Sequence, residues 1–153
     1  MPTEPGTEAP DFTLCSDTGE TVSLSSLRGS PVVLYFYPKD DTPGCTTQAR
    51  GIRDAWDAFR RTGAVVLGVS PDDEKSHAAF RAKYDLPFTL LADPDHATAS
   101  AYGVWVERST DGKTFMGIER STFVLDAAGV IKAVMRGVKP DAHAADVLAA
   151  LAT

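Results

Sequence analysis

Cysteine is scarce: the 153 residues contain only Cys15 and Cys45. Two cannot make a Cys-only structural zinc site or the disulfide framework of a small secreted scaffold. Positive charge is also in deficit, with 15 Lys and Arg against 21 Asp and Glu and a net charge of −6. Nucleic-acid binding needs clustered cations to neutralise phosphates, so no nucleic-acid partner is expected. Long apolar runs are missing. The longest solid one, Val32 to Tyr37, falls far short of the roughly 20 residues that span a bilayer, so no membrane partner is expected. The first residues, Met1-Pro2-Thr3-Glu4-Pro5-Gly6, show neither the basic start nor the apolar stretch of a secretory leader. The cytoplasm is therefore the expected compartment, where thiols are kept reduced. No G-x-G-x-x-G, Walker A or G-x-S-x-G pattern occurs, and no cofactor is expected. His77, His96 and His143 lie far apart, in polar helical or turn contexts, without ligand spacing, so no metal site is read from them. Asp72-Asp73-Glu74 and Asp93-Pro94-Asp95 read as helix-start acids and turn formers rather than catalytic pairs.

What is present is ordinary globular composition, 43% hydrophobic and 24% charged. The length suits a single domain over 1–153. Phe12 to Leu14 and Thr21 to Leu24 flank Asp17-Thr18-Gly19 and read as a hairpin. Val32 to Tyr37 reads as a strand buried on both faces. A helix is expected from Thr42-Pro43, because Thr is a good N-cap and Pro is favoured at the first helical position. It should run to Gly63. At 100° per residue, Cys45, Ala49, Ile52, Trp56 and Phe59 share its inward face, and Arg50, Arg53, Asp54, Asp57 and Arg61 its outward face. Further strands are expected at Ala64 to Val69, Phe88 to Leu91, Val104 to Val106, Phe115 to Ile118, Ser121 to Leu125 and Val130 to Met135. Helices are expected after Ser70-Pro71-Asp72-Asp73, at Thr98 to Tyr102, and from about Asp141. Asp111-Gly112 is a hairpin signal. Strands alternating with helices, then a β-rich stretch, indicate an α/β fold with a mixed central β-sheet flanked by helices.

The segment Tyr35-Phe36-Tyr37-Pro38-Lys39-Asp40-Asp41-Thr42-Pro43-Gly44-Cys45-Thr46-Thr47-Gln48 carries the chemistry. It leaves a buried strand by a tight loop and sets a cysteine in the first turn of a helix. Unpaired N–H groups and the macrodipole there both favour a thiolate. Gly44 allows close approach to the backbone. The Thr42 hydroxyl can cap the helix or face the sulfur. The bland reading makes Cys45 a small buried apolar residue. With no C-x-x-C, and with Gln48 where the second cysteine would stand, a thioredoxin-type dithiol oxidoreductase is not expected.

Pro38-x-x-x-Thr42-x-x-Cys45 resembles the peroxiredoxin signature. Tyr35-Phe36-Tyr37-Pro38-Lys39 and Thr42-Pro43-Gly44-Cys45-Thr46 are similar to the bacterioferritin-comigratory-protein or PrxQ branch. Asp11-Phe12-Thr13-Leu14, Gly103-Val104-Trp105, Gly112-Lys113-Thr114 and Arg120-Ser121-Thr122-Phe123-Val124-Leu125-Asp126 extend the resemblance over nearly the whole chain. It implies a thioredoxin-like fold with an N-terminal β-hairpin, and reduction of hydrogen peroxide or organic hydroperoxides by a thiol. Cys45 would be the peroxidatic nucleophile, passing through a sulfenic acid. Thr42 and the backbone N–H groups around Gly44 and Cys45 would donate to the peroxide, and Arg120 would supply fixed positive charge. Pro38 would pack over the sulfur, and Gln48 would orient Arg120. The usual second-cysteine positions of the branch are Arg50 and Arg81 here, which leaves Cys15. The leading reading is a one-cysteine mechanism resolved by an external thiol, with thioredoxin the family expectation. The alternatives are a Cys15–Cys45 disulfide within the chain or a Cys15 bond between subunits. A monomer is expected. A non-enzymatic redox sensor or binding module on the same fold is the reading from another class.

Overall fold

The computed structural model describes residues 3–152. Among these residues nine strands and five α-helices follow one another, alternating only in the middle of the chain: β1 (Thr13–Ser16), β2 (Thr21–Ser23), β3 (Val32–Phe36), α1 (Pro43–Asp54), α2 (Trp56–Thr62), β4 (Val65–Ser70), α3 (Glu74–Tyr84), β5 (Thr89–Ala92), α4 (Ala97–Ala101), β6 (Trp105–Thr110), β7 (Lys113–Ile118), β8 (Ser121–Leu125), β9 (Ile131–Arg136) and α5 (His143–Leu151). Seven strands form one sheet in the order β2-β1-β5-β4-β3-β8-β9, and β6 and β7 make a separate ribbon. β3, β4 and β5 are parallel, whereas β1 and β8 join them antiparallel. The sheet is therefore mixed, with its parallel strands at the centre, and β1–β2 is the expected N-terminal hairpin.

Side-chain alternation divides the core between the two faces of the sheet. Leu34 and Phe36 of β3 enter one cluster with Phe12, Tyr102, Val104 and Phe123. Val33, Tyr35 and Tyr37 enter the other, beneath α1, α2, α3 and α5, with Cys45, Ile52, Phe59, Phe80 and Val147. Every residue of β3 is buried, as expected for a central strand covered on both faces. Full burial of a side chain such as Ile52 or Phe59 contributes about 2–3 kcal/mol.

The expected helix to Gly63 is interrupted. α1 ends at Asp54, Ala55 leaves helical geometry with φ −99° and ψ 15°, and α2 starts at Trp56. Tertiary packing overrides propensity here: Trp56 lies against Phe59 and Phe88, with ring centres 6.3 and 6.1 Å apart. Gly63 closes α2 in the left-handed conformation, the expected glycine stop. The Asp111-Gly112 signal is realised as the β6–β7 turn, where both residues have positive φ. No helix is long and apolar enough to cross a membrane among the described residues.

Two of the three histidines, read from the sequence as lying in polar helical or turn contexts, turn out to be core residues. His77 and His143 are both fully buried. Each sits on a helix whose inward face could bury an imidazole only by giving its nitrogens partners, and both have them. His96 stacks flat on Trp105, with ring centres 3.8 Å apart.

Candidate active site

The site is built where β3 hands over to α1. Pro43 has no N–H, and the first bond into the helix runs from the Thr46 N–H to the Thr42 carbonyl. The N–H groups of Gly44 and Cys45 precede it and belong to the open helix end. Cys45 lies there with 2% of its surface exposed. Its thiol is free, as is that of the half-buried Cys15.

Arg120, between β7 and β8, reaches across to this helix end. Its Nη1 lies 3.4 Å from the Cys45 Sγ and donates at 2.7 Å to the Gln48 Oε1. Among the described residues no carboxylate forms an ion pair with Arg120, so its charge faces the sulfur unneutralised. Gly44 is part of this fit. A Cβ at position 44 would stand 3.0 Å from the Arg120 Nη2, so the missing side chain makes room for the guanidinium.

The remaining expected site residues are placed differently from one another. Gln48 is fully buried on the inward face of α1, beside Cys45 and Arg120. The Thr42 hydroxyl neither caps α1 nor bonds the sulfur; it donates to the Lys39 carbonyl at 2.8 Å and closes the loop. Pro38 is exposed, so its ring is not sealed into the core with the thiol. Cys15 is on β1, which stands three strands from β3, the strand that leads into the Cys45 helix. Strand spacing makes that a lateral offset of about 14 Å, whereas a disulfide needs Cα atoms within about 7 Å. Leu14 packs with the first core cluster, so alternation turns Cys15 to the other face, the one that carries Cys45. Arg81 pins that region: its Nε donates to the Leu86 carbonyl and its Nη1 to both oxygens of Asp17.

Two buried polar networks, of whose members only Gln48 is read from the sequence as a site residue, support the loop and the arginine. In the first, Asp40 is buried and accepts from the Tyr37 and Ser76 hydroxyls at 2.6 and 2.7 Å. Its Oδ2 also lies 2.7 Å from the His77 Nδ1, while the His77 Nε2 faces the Leu91 carbonyl at 2.9 Å. Burial works against charge on His77, but the hydrogen bond and the negative charge of Asp40 outweigh it and raise its pKa above the ordinary value. The Asp40 N–H donates to Asp72, whose Oδ2 also accepts from Ser70. Asp40, Asp72 and His77 could crowd a cation, yet their facing atoms are already engaged with the protein. Asp41 adds a second tie to α3 through Lys83 and Tyr84, which hold its pKa below the usual value.

In the second network the Gln48 Nε2 lies 3.2 Å from the Nδ1 of His143, and the His143 Nε2 lies 2.7 Å from the Thr122 hydroxyl. Burial, with the Arg120 charge second, lowers the His143 pKa to about 4. The imidazole is therefore neutral at physiological pH. The only sequence signal for this network is a glutamine on an otherwise apolar helix face.

A mixed sheet that presents one thiol at a helix start, facing an arginine from the neighbouring strand, is the architecture of a thioredoxin-like thiol peroxidase. The AhpC/TSA family model matches residues 5–134, and the chain belongs to that family. It is 52% identical over 151 residues to a putative peroxiredoxin bcp of Coxiella burnetii, covering 99% of this chain and 100% of that one. It is 48% identical to the peroxiredoxin Bcp of Bacillus subtilis, covering 99% and 96%. Among solved structures it superimposes with a TM-score of 0.91 on the Xanthomonas campestris bacterioferritin comigratory protein, studied for its alkyl peroxide reduction activity in trapped intermediate and ligand complexes. That match has 40% identity over 97% of this chain and 98% of the other. The chain is thus a peroxiredoxin of the Bcp/PrxQ type.

Proposed function

We propose that this single-domain peroxiredoxin reduces hydrogen peroxide and organic hydroperoxides at Cys45, and that an external thiol resolves the oxidised cysteine. The Cys45 thiolate attacks one peroxide oxygen, the O–O bond breaks, and the departing oxygen leaves as alcohol or water after taking a proton. Sulfur is oxidised to the sulfenic acid and the peroxide is reduced. A thiol of thioredoxin or a small-molecule thiol then displaces water to give a mixed disulfide. A second thiol releases Cys45 and leaves as the oxidised pair.

The single observation that carries this reading is the Arg120 Nη1 at 3.4 Å from the Cys45 Sγ. A permanently charged donor there stabilises the thiolate before attack and the charge that moves onto the departing oxygen during it. The N–H groups of Gly44 and Cys45 complete the cradle. The Thr42 O–H turns from Lys39 toward the bound peroxide, and Pro38 shields the entrance from the solvent side. Gln48 holds the guanidinium in place. The alkyl peroxide reduction of the Xanthomonas relative supports organic hydroperoxides as substrates.

The separation of the two thiols supports an external resolving thiol, as do the arginines at positions 50 and 81. We place the protein as a monomer in a reducing, cytoplasmic compartment. The test is steady-state peroxide consumption with excess dithiothreitol, glutathione or thioredoxin. Cys45→Ser should abolish turnover, and Cys15→Ser should keep the parental rate. A quantitative Cys15–Cys45 link in non-reducing mass spectrometry, after one equivalent of peroxide, would overturn external resolution.

A further inference from the structure

Arg120 has only N–H donors to offer, and this fixes the direction of every bond behind it. The oxygen of the Gln48 amide must face Arg120, at 2.7 Å. Its NH2 must then face His143, so the His143 Nδ1 is the acceptor at 3.2 Å. A neutral imidazole that accepts at Nδ1 carries its hydrogen on Nε2. That hydrogen points at the Thr122 hydroxyl oxygen, 2.7 Å away. Gln48, Thr122 and His143 are all fully buried, so no water is at hand to rescue an amide turned the wrong way.

We propose that His143 is a positioning residue for the peroxidase reaction: its Nδ1 holds the Gln48 amide in the one orientation that anchors Arg120 beside Cys45. The proposal rests on the assignment of Cys45 as the nucleophile. With the reverse orientation the NH2 of Gln48 would face the guanidinium, donor against donor, and Arg120 would lose its anchor. α5 thereby takes part in the site without touching the reacting atoms. Tyr35 packs against the imidazole from the sheet side, with ring centres 5.4 Å apart and the rings tilted by 58°.

The test compares two replacements of nearly equal size. His143→Asn retains an amide oxygen near the Nδ1 position, whereas His143→Leu retains none. The readout is the rate of Cys45 oxidation by hydrogen peroxide divided by its rate of alkylation by iodoacetamide. Both reactions need the accessible thiolate, so changes in its population or exposure cancel in the ratio. Only peroxide cleavage also needs the guanidinium placed against the departing oxygen, so loosened packing alone does not lower the ratio. His143→Leu should lower the ratio about tenfold, and His143→Asn should stay within about threefold of the parent, given how steeply rates follow small misplacements. Thr122→Val, which removes the acceptor for Nε2–H, should lower it in the same direction and by less. If His143→Leu does not fold, the Asn and Val variants still decide. The proposal is overturned by an unchanged ratio in folded His143→Leu, or by equal losses in folded Asn and Leu variants. It is likewise overturned if Thr122→Val matches the parent while the Asn variant has lost tenfold. Cys45→Ser run alongside keeps the two assignments separate: if it still consumes peroxide, the nucleophile assignment is what has failed.

Discussion

Acidification should cost this fold stability through one imidazole. His143 is held neutral in the folded chain, its pKa brought down from 6.5 to about 4 by burial first and the Arg120 charge second. In the unfolded chain the group regains its ordinary value. Between those two values the unfolded state binds a proton that the folded state refuses, so stability is full above about pH 6.5 and falls as pH drops toward 4. The whole difference is worth about 3 kcal/mol, of which about 2 kcal/mol is lost by about pH 5. The groups facing the ring are Gln48 from α1, Arg120 and Thr122 from the β8 side, and Tyr35 from β3. None of them gains charge in this range, so none compensates. The assay is chemical denaturation of the parent and of His143→Asn, in parallel, at fixed ionic strength from neutral pH to about pH 4.5. Carboxylates titrate equally in both chains and cancel in the difference. The stability of the parent relative to the variant should fall by about 2 kcal/mol between neutral and about pH 5. A difference that stays constant across that range would falsify the account of His143 as a buried neutral acceptor.

The other network has the opposite sign. The pKa of His77 is raised above 6.5 by Asp40, so its contribution is full below about pH 6.5 and is lost as pH rises through the raised value. Denaturation midpoints from neutral to about pH 9 should decline more steeply in the parent than in His77→Gln, and parallel lines would refute this. Asp40→Ala, which strands a buried imidazole, should destabilise by about 3–5 kcal/mol in the same assay. Gly44→Ala would set its Cβ 3.0 Å from the Arg120 Nη2 and should slow Cys45 oxidation by peroxide about tenfold without lowering the melting temperature; a normal rate would mean that the guanidinium yields freely. Gly68→Ala would bring its Cβ to 2.9 Å from the Tyr35 Cζ and Oη. The Tyr35 ring is wedged against Tyr37, Phe88 and His143, so calorimetry should find a loss of about 1–3 kcal/mol.

The helix start at Pro43, the buried strand before it and the thiol in the first turn were all legible in the sequence, because each rests on a local rule: a proline at the first helical position, a β-branched and aromatic run, a 3.6-residue period. The arginine was legible only through resemblance, since Arg120 and Cys45 are 75 positions apart and no local pattern joins them. His143 was misread for the same reason. Its partners, Gln48 and Thr122, lie 95 and 21 positions away, and nothing in the polar helical context of a histidine at the start of an alanine-rich helix says that both its nitrogens are engaged in the core. Thr42 shows a different limit. The propensity for an N-cap is real, but the same hydroxyl can close the preceding turn, and here the Lys39 carbonyl wins it. The break at Ala55 has no sequence signal either, because it serves the packing of Trp56 onto Phe88, a contact with another part of the chain.

The distance between the two cysteines has a further consequence. Enzymes that hold a dithiol carry their own two-electron couple, with a reduction potential that buffers them against their surroundings. Cys15 and Cys45 are both free thiols, and β1, which carries Cys15, stands three strands from β3, which leads into the Cys45 helix, so the folded chain holds no disulfide couple. Under the proposed external resolution, its oxidation state would be set by traffic rather than by equilibrium, as the ratio of peroxide arriving to thiol arriving. On that proposal, when the supply of reductant fails, oxidised Cys45 would have no second thiol of its own chain to shelter it from another peroxide, and the next step on the sulfur ladder, to sulfinic acid, is not undone by thiols.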